Sequence, residues 1–329
     1  MANLSVKKVE VCRVAPKPGS PENQSLPLTL FDLFWLRFPP VERLYFYQTS
    51  STDSVLSQLK TSLSLALQHF PPLAGNLIWP QDSLKPLLSY VQGDAVSVTV
   101  AESDADFDHL INSVFLAAKD FSHLVPQVDV TDERAAAMAL QITVFPNRGF
   151  SIGTAMHHAV LDGKTSTSFV KAWAYICKHE ELKIHSRSRL DPPIPATYFG
   201  NCIVGRVAVA ETKGLLSEDG LVVAVSAITE ALRSLEKGVL DGAEDWVSNF
   251  LDFSLYDRIY AIAGSHRFEV YDTDFGWGRP KRVEVISIDK TSAISLSDSK
   301  NGGGGVEVGL VLKKHYMEAF DALFSSLVH

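Results

Sequence analysis

The chain has 329 residues, of which 46% are hydrophobic and 21% charged, and its formal net charge is −8. This is globular composition, and the length suits two domains or one large one with a full core. The acidic balance, with no Lys/Arg block, argues against nucleic acid or an anionic membrane surface as the main partner.

In chain order, Val6–Val14 reads as a first strand, followed by a Pro/Gly/Ser-rich loop at Pro16–Pro21. Ser54–Phe70 places Val55, Leu56, Leu59, Leu63, Leu67 and Phe70 at helical spacing, and Pro71-Pro72 ends that helix. Phe107–Ala118 is a shorter candidate helix. Met138–Phe145 and Phe150–Met156 alternate in apolar residues around the turn signal Pro146-Asn147-Arg148-Gly149, which predicts a hairpin. A helix is expected from about Lys164–Ser166 to Lys178, with Phe169, Trp173 and Ile176 on one face. Gly220–Leu240 reads as a helix, Val283–Ile288 and Val306–Leu312 as strands, and Lys314–Leu327 as an amphipathic terminal helix. The run Gly302–Gly305 lacks a following Lys-Ser/Thr, so it is a connection between strands rather than a phosphate loop.

The three cysteines, Cys12, Cys177 and Cys202, include no CxxC pair. Neither a zinc site nor a disulfide framework is expected, and reduced thiols fit a cytosolic protein. The N-terminus lacks the apolar run of a signal peptide, and no stretch nears the ~18 apolar residues of a membrane span. Leu327-Val328-His329 is not a peroxisomal signal. The expectation is a cytoplasmic protein.

Three short motifs carry chemistry. His157-His158-Ala159-Val160-Leu161-Asp162-Gly163 lies where the hairpin ends and a helix begins. Rigid elements there hold an exposed loop, a common setting for reacting groups. An imidazole is suited to take a proton near neutral pH, and a carboxylate four residues on can orient the ring or hold the loop. Adjacent strand-end side chains point opposite ways, and only His158 has the aspartate at i+4, so His158 is favoured over His157. Further on, Tyr198-Phe199-Gly200-Asn201-Cys202 follows the proline-rich Asp191–Pro195. Asp274-Phe275-Gly276-Trp277-Gly278 precedes Arg279-Pro280 and reads as a tight loop with an aromatic anchor, its aspartate available to hold that loop.

Taken together these motifs resemble those of the plant BAHD acyltransferases. HxxxD at His158–Asp162 and DFGWG at Asp274–Gly278 match that family's two signatures in order. YFGNC at Tyr198–Cys202, Leu26–Asp32 and Pro40–Leu44 resemble the branch that malonylates anthocyanin, flavonoid and phenolic glucosides. The resemblance covers essentially the whole chain. It implies an α/β, two-domain CoA-dependent acyltransferase (chloramphenicol acetyltransferase-like) fold, with mixed sheets and flanking helices. The expected domains are 1–178 carrying HxxxD, a shortened linker 179–190, and a partial 191–329 carrying YFGNC and DFGWG.

The resemblance also implies a mechanism. His158 would be the general base on a sugar hydroxyl, and the alkoxide would attack the malonyl-CoA thioester directly, without an acyl-enzyme. Asp162 would mainly shape the histidine loop. Asp274 would be structural, although it counts among the candidate catalytic residues. Arg187 is a weak candidate for the donor's distal carboxylate and Lys164 a weaker one. Malonyl-CoA would serve as co-substrate with no bound cofactor or metal. The partners would be an acyl-CoA and a small glycoside acceptor, on a monomer without nucleic acid or membrane.

One departure stands out. The spacing from His158 to Asp274 is roughly a hundred residues shorter than in the family, which places a deletion between Lys178 and Ser186–Asp191. Losing a central helix and strand exposes apolar faces and sheet edges. Two other readings therefore stay open: a catalytically impaired or silent BAHD-like protein, and an enzyme using another acyl-CoA. The shortened chain is expected to transfer acyl groups poorly or not at all.

Overall fold

The computed structural model describes residues 6–19, 23–81, 83, 85–179, 198–236, 238, 240, 242–243, 246, 256 and 258–328. The chain falls into two compact units, residues 1–201 with 260–329, and residues 202–259. The sequence reading puts the domain change at 179–190. The compact units divide after Asn201 and before Tyr260. The reason is strand pairing: a strand from the C-terminal part completes the N-terminal sheet.

The first unit opens with β1 (Val6–Val14), β2 (Gln24–Pro27), the short helix α1 (Leu30–Leu33), β3 (Val41–Gln48) and α2 (Val55–Leu67). β4 (Asn76–Ile78), β5 (Leu87–Tyr90), β6 (Val96–Ser103), α3 (Phe107–Asn112) and α4 (Lys119–Ser122) follow. Next come β7 (Arg134–Ala136), β8 (Met138–Phe145), β9 (Gly149–Met156) and α5 (Gly163–His179). The second unit holds α6 (Thr212–Leu215) and α7 (Gly220–Arg233). The first unit resumes with β10 (Ile262–Gly264), β11 (Arg282–Val285), β12 (Ile294–Asp298), β13 (Val306–Gly309) and the terminal helix Lys314–Val328.

A six-stranded mixed sheet, in the order β1-β6-β8-β9-β3-β11, carries the site. The predicted hairpin forms from Phe145↔Gly149 to Met138↔Met156. Asn147 at its turn has φ 60°, a left-handed conformation that asparagine tolerates. Strand alternation sends Tyr45 and Tyr47 of β3 to one face, where α2 and α5 pack with Leu59, Leu63, Phe169 and Trp173. Leu44 and Phe46 go to the other face, under Phe107, Leu110 and Phe121 of α3 and α4. The fully buried Trp173 keeps its indole N–H satisfied, donating to Ser62 Oγ at 3.0 Å and to the Leu59 carbonyl at 3.3 Å. Helices on both faces leave β9 buried at all eight positions, so the loop after it starts from a rigid strand.

Several sequence expectations change. The helix expected at Phe107–Ala118 stops at Asn112, where Ser113 turns extended and its hydroxyl meets His109 Nδ1 at 2.8 Å. Gly220–Leu240 is helical only to Arg233 before a tighter turn at Ser234–Glu236. That helix and the terminal one form where their periodicity predicts, yet their apolar faces stay uncovered. Leu221 is 78% exposed, Val222 63% and Leu323 67%. Among the described residues no helix is long and apolar enough to cross a membrane.

Candidate active site

His157 and His158 follow the last residue of β9. The His157 backbone N–H donates to the Ala137 carbonyl at 2.9 Å, which ties the start of the loop to the end of β8's lead-in. His157 is buried, and its Nδ1 accepts the Ala159 N–H at 3.2 Å. Burial and the neighbouring His158 push its pKa down to about 4. A ring that is already an acceptor and so weakly basic is a structural histidine.

His158 is placed differently. Its ring stacks on Trp35 with centroids 4.0 Å apart and planes 7° from parallel, and Phe38 meets it edge-on at 6.3 Å. Burial holds the imidazole below its ordinary value, opposed by its own backbone, the Asp162 charge and the Asn201 side chain. The ring is therefore neutral at pH 7 and free to act as a base. Trp35 and Phe38 lie just after α1. The sequence reading quoted Leu26–Asp32 as a motif but assigned neither aromatic a role, because stacking between segments distant in sequence leaves no periodic signal.

Asp162 caps α5. Its Oδ1 accepts the Thr165 N–H at 2.7 Å, the standard bond from an N-cap side chain, with a contribution of about 1 kcal/mol. The cap starts the helix at Gly163 and so fixes where the His158 loop ends. Arg43 of β3 braces the same turn: its buried Nη1 donates to Thr167 Oγ1 at 2.8 Å, and that hydroxyl donates to the Gly163 carbonyl at 2.7 Å. Lys164 is exposed on the first turn of α5. Arg187, the candidate for the donor's carboxylate, lies outside the described residues.

The YFGN stretch packs against this corner. The Gly200 carbonyl accepts from Thr165 Oγ1 at 3.2 Å. Asn201, fully buried, donates from its backbone N–H to Asp32 Oδ1 at 2.9 Å. Its side-chain Nδ2 donates to the same oxygen at 3.0 Å and to the His158 carbonyl at 2.9 Å. Asp32 is itself held by a capping box, its Oδ2 accepting the Thr29 N–H at 2.8 Å and the Thr29 hydroxyl at 2.6 Å. Residues 29, 32, 158 and 201 thus form one polar chain behind the imidazole.

Asp274 builds a loop. Its Oδ1 accepts the N–H groups of Gly276 at 2.8 Å and Gly278 at 2.9 Å, and its Oδ2 pairs with Lys178 Nζ at 2.6 Å. Both glycines have positive φ, 109° and 88°, a conformation that lets both amides meet one carboxylate. Phe275 is buried edge-on to Tyr47 and Trp173, and Trp277 packs edge-on to Phe150. Burial pulls the Asp274 carboxyl up, but Lys178 and the two amides outweigh it, so it sits below its ordinary value. Every bond described here for Asp274 goes to its own loop or to the end of α5. Among the described residues no cluster of His, Cys, Asp and Glu is arranged to hold a metal ion.

The model of the Transferase family matches residues 4–186 and 181–327. Malonyl-CoA:anthocyanidin 5-O-glucoside-6''-O-malonyltransferase of Arabidopsis thaliana is 34% identical, with 98% of each chain covered. Phenolic glucoside malonyltransferase 2 of the same plant is 32% identical over 99% of this chain and 100% of its own. A third Arabidopsis relative, 30% identical over 98% of this chain, is named a BAHD acyltransferase. The chain belongs to the BAHD acyltransferase family.

The crystal structure of vinorine synthase superposes on 95% of this BAHD chain with a TM-score of 0.72 at 19% identity, which establishes the CoA-dependent acyltransferase fold. The two stretches matched by the family meet at 181–186. The alignment to the first relative runs over 453 positions against a BAHD chain of 329 residues. The sequence reading places the missing segment between Lys178 and Asp191, and the two matched stretches overlap inside that interval.

Proposed function

We propose that this chain is an acyl-CoA-dependent O-acyltransferase that moves malonyl from malonyl-CoA to a sugar hydroxyl of a phenolic, flavonoid or anthocyanin glucoside. The carrying observation is His158: a neutral imidazole held by Trp35 and Phe38 at the end of a buried strand. The names of the relatives, malonyltransferases of anthocyanin and phenolic glucosides, support the donor and the acceptor class.

In this reading Nε2 of His158 takes the proton of the acceptor hydroxyl. The oxygen attacks the thioester carbonyl, the C–S bond breaks, and the proton passes from Nε2 to the departing CoA sulfur. An alcohol does not ionise at neutral pH, so a placed base is required, and such a base contributes roughly 10²–10⁴-fold. The thioester supplies the leaving group, so no bound cofactor enters the scheme. Asp162 and Asp274 act through structure, one by starting α5 and the other by closing the DFGWG loop. Arg187 is the proposed reader of the malonyl carboxylate. The working protein is a cytoplasmic monomer taking soluble acyl-CoA and glycoside, without nucleic acid or membrane. Its two acyltransferase halves carry HxxxD in the first and YFGNC with DFGWG in the second.

The test is mass detection of malonylated product when purified chain is given malonyl-CoA and a phenolic glucoside. His158→Ala removes product while leaving the circular dichroism spectrum and unfolding midpoint near parental. Near-parental turnover in His158→Ala, with loss in His157→Ala, would reverse the assignment.

A further inference from the structure

Two buried polar atoms, on residues joined by the Asn201 Nδ2 bond to the His158 carbonyl, have no hydrogen-bond partner among the described residues: Nδ1 of His158 and Oδ1 of Asn201. Leaving either unmade is costly, since a buried unsatisfied group forfeits its hydration. The Asn201 amide cannot simply be turned over. Its nitrogen faces two pure acceptors, the Asp32 carboxylate and the His158 carbonyl, so the oxygen must lie on the other side. Asp32 is in turn immobilised by Thr29, so the amide plane is fixed from behind. The donor missing from Oδ1 is an N–H, and the imidazole whose backbone Asn201 already grips has a ring nitrogen to offer. The ring's own backbone, the Asp162 charge and the Asn201 side chain all favour its protonated form.

We propose that Asn201 is the positioning residue of the base: its Oδ1 accepts the Nδ1–H of His158 and leaves Nε2 as the proton acceptor. The inference rests on His158 being the base. Catalytic hydrogen bonds are often long before substrate binds and tighten in the reacting complex. When Nε2 takes the hydroxyl proton the ring becomes a cation with N–H at both nitrogens. The Asn201 oxygen then makes a charge-assisted bond, stronger than with the neutral ring. The asparagine therefore stabilises the charge that develops during transfer. It does the work often given to a carboxylate, while Asp162 is engaged at the Thr165 N–H as the cap of α5.

The test uses the full chain labelled with 15N-histidine, with the His158 ring signals assigned by their loss in His158→Gln. The parent shows the Nδ1–H tautomer. Asn201→Ala loses that preference and titrates at lower pH, because an acceptor that favours the cation is gone. Asn201→Asp titrates at higher pH, because the acceptor returns with a negative charge. Should the alanine variant fail to fold, Asn201→Ser is read in its place. In turnover, kcat falls about tenfold to a hundredfold for Asn201→Ala. KM for malonyl-CoA changes by less than about twofold. The acid limb of kcat/KM moves in the same directions as the ring titration. A parental Nε2–H tautomer, an unshifted titration in Asn201→Ala, or shifts of the same sign in the alanine and aspartate variants would overturn the proposal. The ring spectrum reads out whether or not malonyl is transferred, so a failure of Asn201 and a failure of the proposed reaction are told apart.

Discussion

Asp274→Ala separates a structural aspartate from a reacting one. The substitution removes three bonds at once, those to Gly276 N–H, Gly278 N–H and Lys178 Nζ. Hydrogen bonds to a charged group contribute ~1.5–3 kcal/mol each when desolvated. Here both glycines are exposed and water can replace the carboxylate, so the two amides together are worth ~2 kcal/mol. The ion pair adds little, since the Lys178 side chain is 42% exposed and the Asp274 side chain 25%. A further part comes from Phe275 and Trp277, which the loop holds against Tyr47, Trp173 and Phe150. The expected loss is ~2–3 kcal/mol, a large share of a stability of ~5–15 kcal/mol. Urea unfolding followed by tryptophan fluorescence measures it, with kcat taken well below the transition. The midpoint drops and kcat of the folded fraction stays within about threefold of parental. An unchanged midpoint with a severe fall in kcat would show that Asp274 takes part in the reaction.

Two further outcomes follow from other parts of the structure. His157 titrates at about 4 in the fold against an ordinary 6.5, so the unfolded chain binds more protons between those values. Its stabilising contribution is complete above pH 6.5 and is lost as pH falls through about 4, a difference of ~3 kcal/mol. His157→Gln, which keeps an acceptor for the Ala159 N–H, flattens that part of the urea-midpoint profile; a profile as steep as the parent's would assign the slope to other groups. The shortened second half makes the parental chain a poor catalyst with a broad unfolding transition, because the apolar faces of α7 and the terminal helix lack cover. Inserting the intervening segment of an Arabidopsis malonyltransferase at 181–186 raises malonyl transfer and sharpens unfolding. A sharp transition and ordinary turnover in the parental chain would show that the fold tolerates the loss.

Much of the fold was legible in local pattern. Strand alternation located the β8–β9 hairpin, and helical spacing located α2, α5 and the terminal helix, because apolar residues recur along the chain at the period of each element. The His158–Asp162 spacing at a strand-to-helix junction was legible for the same reason. Burial was a different matter. The periodicity of α7 is that of a helix with a covered face, and only the tertiary structure reveals that the face lies open. The pairing of β11 with β3 joins residues far apart in sequence, and no local signal announces it. The site divides along the same line. The sequence by itself offered an imidazole, a carboxylate four residues on and a Gly-Trp-Gly loop, and its resemblance to the BAHD family implied the reaction. The i+4 aspartate already favoured His158, and the tertiary structure adds the surroundings: the Ala159 amide on His157 and the face of Trp35 on His158. It also brought Asp32 and Asn201 behind the imidazole, since hydrogen bonds between distant segments depend on where the sheet and helices deliver them.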